Sequence, residues 1–183
     1  MRREIIPAVL LCLALASCSS PNVGTDSNKS NSYDFLANFA SGTITPANEP
    51  STPTRKPVLI LRDFEVGGEK RQAMITLASA KIVFGISPIN QGAKLKFGVG
   101  MNTTVGDGAE GIITIEADGS SEVVYRRFLD PVNRVDDKKW FDELVDLSKY
   151  AGKSVKISFE TNPGPKGDAA GDWFAWSHPV ITQ

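Results

Sequence analysis

The feature that most constrains this chain is the period-two alternation of apolar residues beyond Pro57, broken every few residues by turn formers. In residues 94–99, Leu95, Phe97 and Val99 share one side while Lys94, Lys96 and Gly98 take the other. Residues 153–160 repeat the pattern with Val155, Ile157 and Phe159. Successive side chains of a strand point to opposite faces, so such runs read as strands with one face buried. Shorter versions occur at 81–84 and 113–116, and further strands are expected at 58–64, 72–76, 122–128, 140–146 and 173–181. That makes about nine strands in about 127 residues. Turn signals separate them at Gly67-Gly68, Asn90-Gln91-Gly92, Gly106-Asp107-Gly108, Asp118-Gly119 and 162–165. The one helical candidate is a single turn over 146–152, with Asp146 able to cap it and Gly152 able to end it. No internal repeat is present. Many short strands without long crossover helices predict an all-β fold, an antiparallel β-sandwich or barrel.

The first fifty-six residues follow other rules. Arg2 and Arg3 precede an apolar run over 5–15 and then small residues, the pattern of a secretory signal. An apolar run of that length is about half the ~20 residues a membrane-spanning helix needs. Leu15-Ala16-Ser17-Cys18 resembles the lipobox of bacterial lipoproteins, which implies lipidation at Cys18 and a membrane partner through the acyl chains. Cys12 would leave with the signal peptide, so no disulfide is expected in the mature chain. Ser19, rather than Asp, after the cysteine resembles the pattern sent to the outer membrane in Gram-negative envelopes. The expected division is 1–17 as lipoprotein signal peptide, 18–56 as lipidated cysteine plus flexible linker, and 57–183 as the β-sandwich domain. Ser, Asn, Thr, Pro and Ala dominate the linker, interrupted by 33–36 and Phe39. That insert reads as a solvated or transient helix, with an amphipathic turn docked on the domain as the alternative.

Charge and residue inventory exclude several functions. With 20 Lys and Arg against 21 Asp and Glu, no basic excess exists to neutralise phosphates, so no nucleic-acid partner is expected. One histidine and two cysteines rule out a four-cysteine zinc cluster. A nucleophilic triad would have to use His178, and Gly98, Gly100, Gly106 and Gly108 lack the lysine and helix of a phosphate loop. Glycoside hydrolysis needs only two carboxylates, but a sandwich of this size rarely forms a deep cleft. The protein is therefore expected not to be an enzyme, and no cofactor is expected.

From about residue 80 onward the chain resembles a galactose-binding-like jelly roll, the module type that serves as a carbohydrate-binding domain. The matching pieces, in order, are Gly106-Asp107-Gly108 before the strand over 111–116, the segment 128–131, Trp140, the block 145–152, the strand over 155–161 and residues 172–181. The resemblance implies non-catalytic binding of a polysaccharide or glycan. The alternative is a scaffolding lipoprotein that packs on another envelope protein. A sugar site needs an aromatic face and planar polar groups, which makes Trp173, Trp140, Asp172, Arg126 and Asp107 the ligand-binding candidates. Alternation points Trp173 and Trp176 to opposite faces, so one of them should be core, and the resemblance implies that it is Trp176, in a packed strand. Alternation separates Arg126 from Arg127. The resemblance also implies that a structural calcium is an option, with Asp168 and Asp172 as contributors. No D-x-D-x-D-G loop occurs and two carboxylates four apart in a Gly/Ala loop are usually solvated, so no metal is expected.

Overall fold

A computed structural model describes residues 32–46 and 57–182. Eleven strands form two antiparallel sheets packed face to face. They are β1 (Tyr33–Asp34), β2 (Thr43–Pro46), β3 (Val58–Val66), β4 (Glu69–Leu77), β5 (Ala80–Ile86), β6 (Lys94–Met101), β7 (Ala109–Ala117), β8 (Ser120–Leu129), β9 (Phe141–Asp146), β10 (Val155–Pro163) and β11 (Trp173–Thr182). The first sheet runs β3-β4-β11-β6-β9, with β1 added beside β11. The second runs β2-β5-β10-β7-β8. The β-sandwich expected from the alternation is the fold, and each of the nine expected strands is present. The helical turn expected over 146–152 is Ser148–Tyr150, one of three such turns among the described residues, and there the Ser148 amide donates to Asp146 Oδ1 at 2.8 Å.

The inner faces behave as the pattern requires. Val155, Ile157 and Phe159 of β10 meet Leu95, Phe97 and Val99 of β6 and Phe174 and Trp176 of β11 in one core. Trp176 is fully buried, as expected, and its indole N–H donates to the Thr76 hydroxyl at 2.9 Å, which itself bonds Thr161. A buried indole without a partner would cost about 1–3 kcal/mol, so these threonines make the central aromatic affordable to bury.

The segment 33–46 corrects the expected domain boundary. It is neither linker nor solvated helix: Tyr33 and Asp34 pair with Ile181 and Val180 of β11, and residues 43–46 pair with β5. Phe35 is fully buried, with ring centroids 5.0 Å from those of Tyr33, Phe84 and Phe159. Asp34 shapes the turn by accepting the Leu36 and Ala37 amides. The sandwich therefore includes residues 33–46. Five large apolar residues in a polar stretch carry no legible period; burial of Phe35 contributes about 2–3 kcal/mol, and pairing with β11 and β5 supplies further hold on the segment. The signal peptide, Cys18 and residues 47–56 lie outside the described residues.

Candidate functional site

The outer face of the first sheet is where the sequence pattern and the fold part company. β4 is buried on both faces over Ala73, Met74, Ile75 and Thr76, because a second apolar cluster lies outside the sheet. Phe64, Val66 and Trp140 cover Ala73, Ile75 and Ala175 there, with Leu59, Leu61, Leu77 and Trp173 half-buried around them. The cover comes from the β3–β4 hairpin. Its register shifts between Leu61 and Phe64, and β4 pairs with β11 only from Ala73 to Leu77. Further along β11, β1 takes the neighbouring position instead. A bulge bends and twists a strand, so the hairpin end is free to diverge from the sheet.

A groove of about 650 Å³ opens beside this divergence, walled by Glu69, Arg71, Lys96, Asp142 and His178. Its floor is Gly98 of β6 beside Ser177 of β11. A methyl group on Gly98 would lie 2.5 Å from Ser177 Oγ and 2.8 Å from Arg71 Nη1, so only glycine leaves this floor open. Arg71 organises the wall. Its Nε donates to Glu69 Oε1 at 2.7 Å and its Nη1 to Asp142 Oδ1 at 2.5 Å, tying the hairpin to β9. These two carboxylates hold the guanidinium proton more firmly than usual. The guanidinium also lies over the Trp140 ring, 5.1 Å from its centroid. The outcome is a fixed, planar array of donors and acceptors with exposed carboxylate edges, suited to hydroxyl-rich ligands.

The expected ligand residues scatter. Trp140 is only 8% exposed, and its Nε1 donates to the Glu69 carbonyl at 3.0 Å. That corrects its assignment as a sugar platform: both uses of the ring support Arg71 and Glu69 from below. Trp173 is half-buried on the same sheet face, within the apolar cluster. Arg126 belongs to the second sheet, where it is exposed and bonds Glu110 at 2.9 Å. Arg127 points the other way, over the Phe141 ring and onto Glu143. Arg71, Glu69, Asp142 and Gly98 escaped sequence reasoning, since each is an ordinary alternation position and only the hairpin's divergence gathers them.

Asp107 and Asp172 form a separate cluster, at the loops joining β6 to β7 and β10 to β11. Asp172 is 1% exposed, and neither carboxylate oxygen has a hydrogen-bond partner. Asp107 is 8% exposed; its Oδ2 accepts the Lys166 amide at 2.7 Å and its Oδ1 accepts nothing. Burial pushes the Asp172 carboxyl up to about 7, reinforced by Asp107 and Asp168. The Gly164 backbone opposes the shift. Glycines allow the loops to close here. A side chain on Gly106 would collide with the Ala170 carbonyl and lie 3.5 Å from Asp172 Oδ1, while one on Gly164 would collide with the Gly108 carbonyl and lie 2.7 Å from Asp107 Oδ1. Buried carboxylates without partners call for a proton or a cation. An all-oxygen set of two carboxylates and neighbouring carbonyls fits a hard dication such as calcium, which Asp107 and Asp172 would hold. Asp168, weighed as a contributor from its spacing, instead accepts the Ala170 amide at 2.9 Å.

Known proteins place the architecture. No family model matches the chain. An uncharacterized protein of Archaeoglobus fulgidus is 40% identical over 105 residues, 55% of this chain. The matched region spans only 26% of that relative's length. Among solved structures, a CBM51 module from Clostridium perfringens GH95, in complex with methyl-galactose, gives a TM-score of 0.52 at 14% identity, covering 82% of this chain and 99% of that one. TmCBM61, in complex with β-1,4-galactotriose, gives 0.54 at 11% identity, covering 82% and 94%. The fold is the β-sandwich of carbohydrate-binding modules. The K1 cleaved adhesin domain of Lys-gingipain from Porphyromonas gingivalis W83 shares it, with a TM-score of 0.50 at 11% identity over 79% of this chain and 90% of that one. The galactose-binding-like architecture expected from the second half of the sequence thus extends to the described residues as a whole.

Proposed function

We propose that this protein binds carbohydrate without catalysis, through the groove at Arg71, and that a lipid on Cys18 holds it on the outer membrane of a Gram-negative envelope. The observation that carries the binding reading is the groove itself: a glycine floor, flanked by a guanidinium locked between two carboxylates, on the outer face of a sheet whose fold glycan-binding modules share. Sugar hydroxyls are recognised by planar groups already held in place, because little side-chain entropy is then lost on binding. The lipid anchor rests on Leu15-Ala16-Ser17-Cys18 and the short apolar run before it.

Calorimetric titration of the chain lacking signal and lipidated cysteine, residues 19–183, against a polysaccharide panel tests the binding. Saturable binding to one glycan class, reduced at least about tenfold by Arg71→Ala, is expected. A Gly98→Val variant that melts like the parent and binds equally well would remove the groove from consideration. For the anchor, Cys18→Ala should leave the protein unlipidated by mass spectrometry and released from membranes. One observation favours a second reading, protein docking: the half-buried shelf of Leu59, Leu61, Leu77 and Trp173 on the same face. A stoichiometric crosslinked envelope partner, with no response across the glycan panel, would select it.

A further inference from the structure

Most of the groove's charged groups are engaged in ion pairs. Glu69 and Asp142 bond Arg71, Glu143 bonds Arg127, and Lys70 lies 3.9 Å from Glu65. Among the described residues this leaves two wall groups, Lys96 and His178, with no ion-pair or hydrogen-bond partner. Both border the same opening. Lys96 stands two residues before the glycine floor on the outer side of β6, opposite the 55% exposed Leu144 of β9. His178 stands next to Ser177 in β11, within the irregularity that separates the Ser177 and Val180 pairings.

The backbone at His178 is unusual. Three described residues other than glycine have positive φ, and two of them sit in tight connections between strands, Asp118 in the β7–β8 hairpin and Ser79 where the chain passes from β4 in one sheet to β5 in the other. His178 has φ +43° inside a strand and immediately before Pro179. A side chain disfavours this region, and a following proline disfavours it further. Glycine would occupy it without strain. The chain instead carries an imidazole there and turns it into the groove. Bulges serve to re-aim a side chain, and strain of this kind is tolerated where the re-aimed group is used.

We infer that Lys96 and His178 form the anion-recognising end of the groove, and that its glycan carries a ring carboxylate. This rests on the carbohydrate-binding reading above. Among the described residues Lys96 supplies the one positive group of the wall with no ion-pair partner. The His178 ring supplies a second donor from the adjacent strand, and Leu144 offers an apolar surface to the ring's C–H face. A neutral sugar would leave that lysine without a counter-charge, whereas a uronic acid supplies one. Charge-assisted hydrogen bonds are about twice as strong as neutral ones, which is the source of the preference.

Residues 19–183 titrated against polygalacturonate, its fully methyl-esterified form and neutral galactan provide the test. The ester keeps the chain and removes the charge. Polygalacturonate should bind about tenfold more tightly than either neutral polymer, with affinity falling as salt rises. Lys96→Gln should erase the preference, bringing polygalacturonate and the neutral polymers to within about twofold of each other. His178→Gly should lose about fivefold in polygalacturonate affinity while melting at the same or a higher temperature, because the strain is relieved as the donor is removed. Equal or tighter binding of the ester overturns the inference and leaves carbohydrate binding standing. No binding to any of the three, or to the wider panel, overturns both. A His178→Gly variant that binds polygalacturonate as tightly as the parent removes His178 from ligand recognition and overturns that part of the inference.

Discussion

Asp172→Asn is the most informative single substitution in this protein. In the unfolded chain the carboxyl ionises near 3.8, and in the folded protein near 7. Between those values the folded protein holds a proton that the unfolded chain has shed, so stability falls as pH rises through the window. At 1.36 kcal/mol per pH unit the limit is about 4 kcal/mol, and about 2 kcal/mol once water penetration relaxes the site. For a domain of this size that is a melting-temperature loss of about 4–8 °C between pH 4 and pH 7.5 in EDTA. The Asn variant, carrying no charge at that position, should melt at nearly the same temperature throughout, and above the parent at pH 7.5. Calcium should reverse the order. Bound between Asp107 and Asp172, it would compensate both carboxylates, and a concentration one hundredfold above its dissociation constant would stabilise the parent by about 2.7 kcal/mol. Asp172→Asn should show little of this gain. Differential scanning calorimetry across pH, with EDTA or calcium, separates the cases. A parent protein with a flat pH profile in EDTA and no response to millimolar calcium would refute the reasoning, because a buried Asp172 carboxyl with no hydrogen-bond partner must be sensitive to one or the other.

Two further predictions concern packing. Phe35→Ala should destabilise the domain by about 3–5 kcal/mol, since it empties a fully buried site that three aromatic rings share. Chemical denaturation measures this, and a loss below about 1 kcal/mol would return residues 33–46 to the status of a tether. Trp140→Phe should cost about 1–2 kcal/mol, for the lost indole bond to the Glu69 carbonyl and some packing, yet leave glycan affinity within about twofold. A tenfold loss of affinity in a variant that melts normally would show the indole to be a contact surface after all.

The strands were legible because their cause is local. A half-buried strand must alternate, and Val155, Ile157 and Phe159 or Leu95, Phe97 and Val99 do so without reference to anything distant. The same rule puts Trp173 and Trp176, three residues apart, on opposite faces, and the resemblance to galactose-binding-like modules pointed to Trp176 as the inward one. Trp140 could not be placed that way. It stands just before β9, and only the divergent β3–β4 hairpin, brought across from the other end of the sheet, covers it. Asp107 and Asp172 were singled out one at a time as turn and loop residues. Their proximity depends on the packing of Gly106 against the Ala170 carbonyl and of Gly164 against the Gly108 carbonyl, contacts between segments more than fifty residues apart.

The amino-acid sequence by itself determined the class of fold, the position of nearly every strand and the inward or outward sense of most side chains, because these depend on periodicity and turn chemistry within a few residues. The tertiary structure decided which segments complete the sandwich and where chemistry can occur. Residues 33–46 become strands only beside β11 and β5. Arg71 becomes a binding group only where the hairpin leaves the sheet and Asp142 meets it from another strand. In each case the deciding free energy, of burial or of charge pairing, belongs to a contact between distant parts of the chain, and no local pattern encodes a contact of that kind.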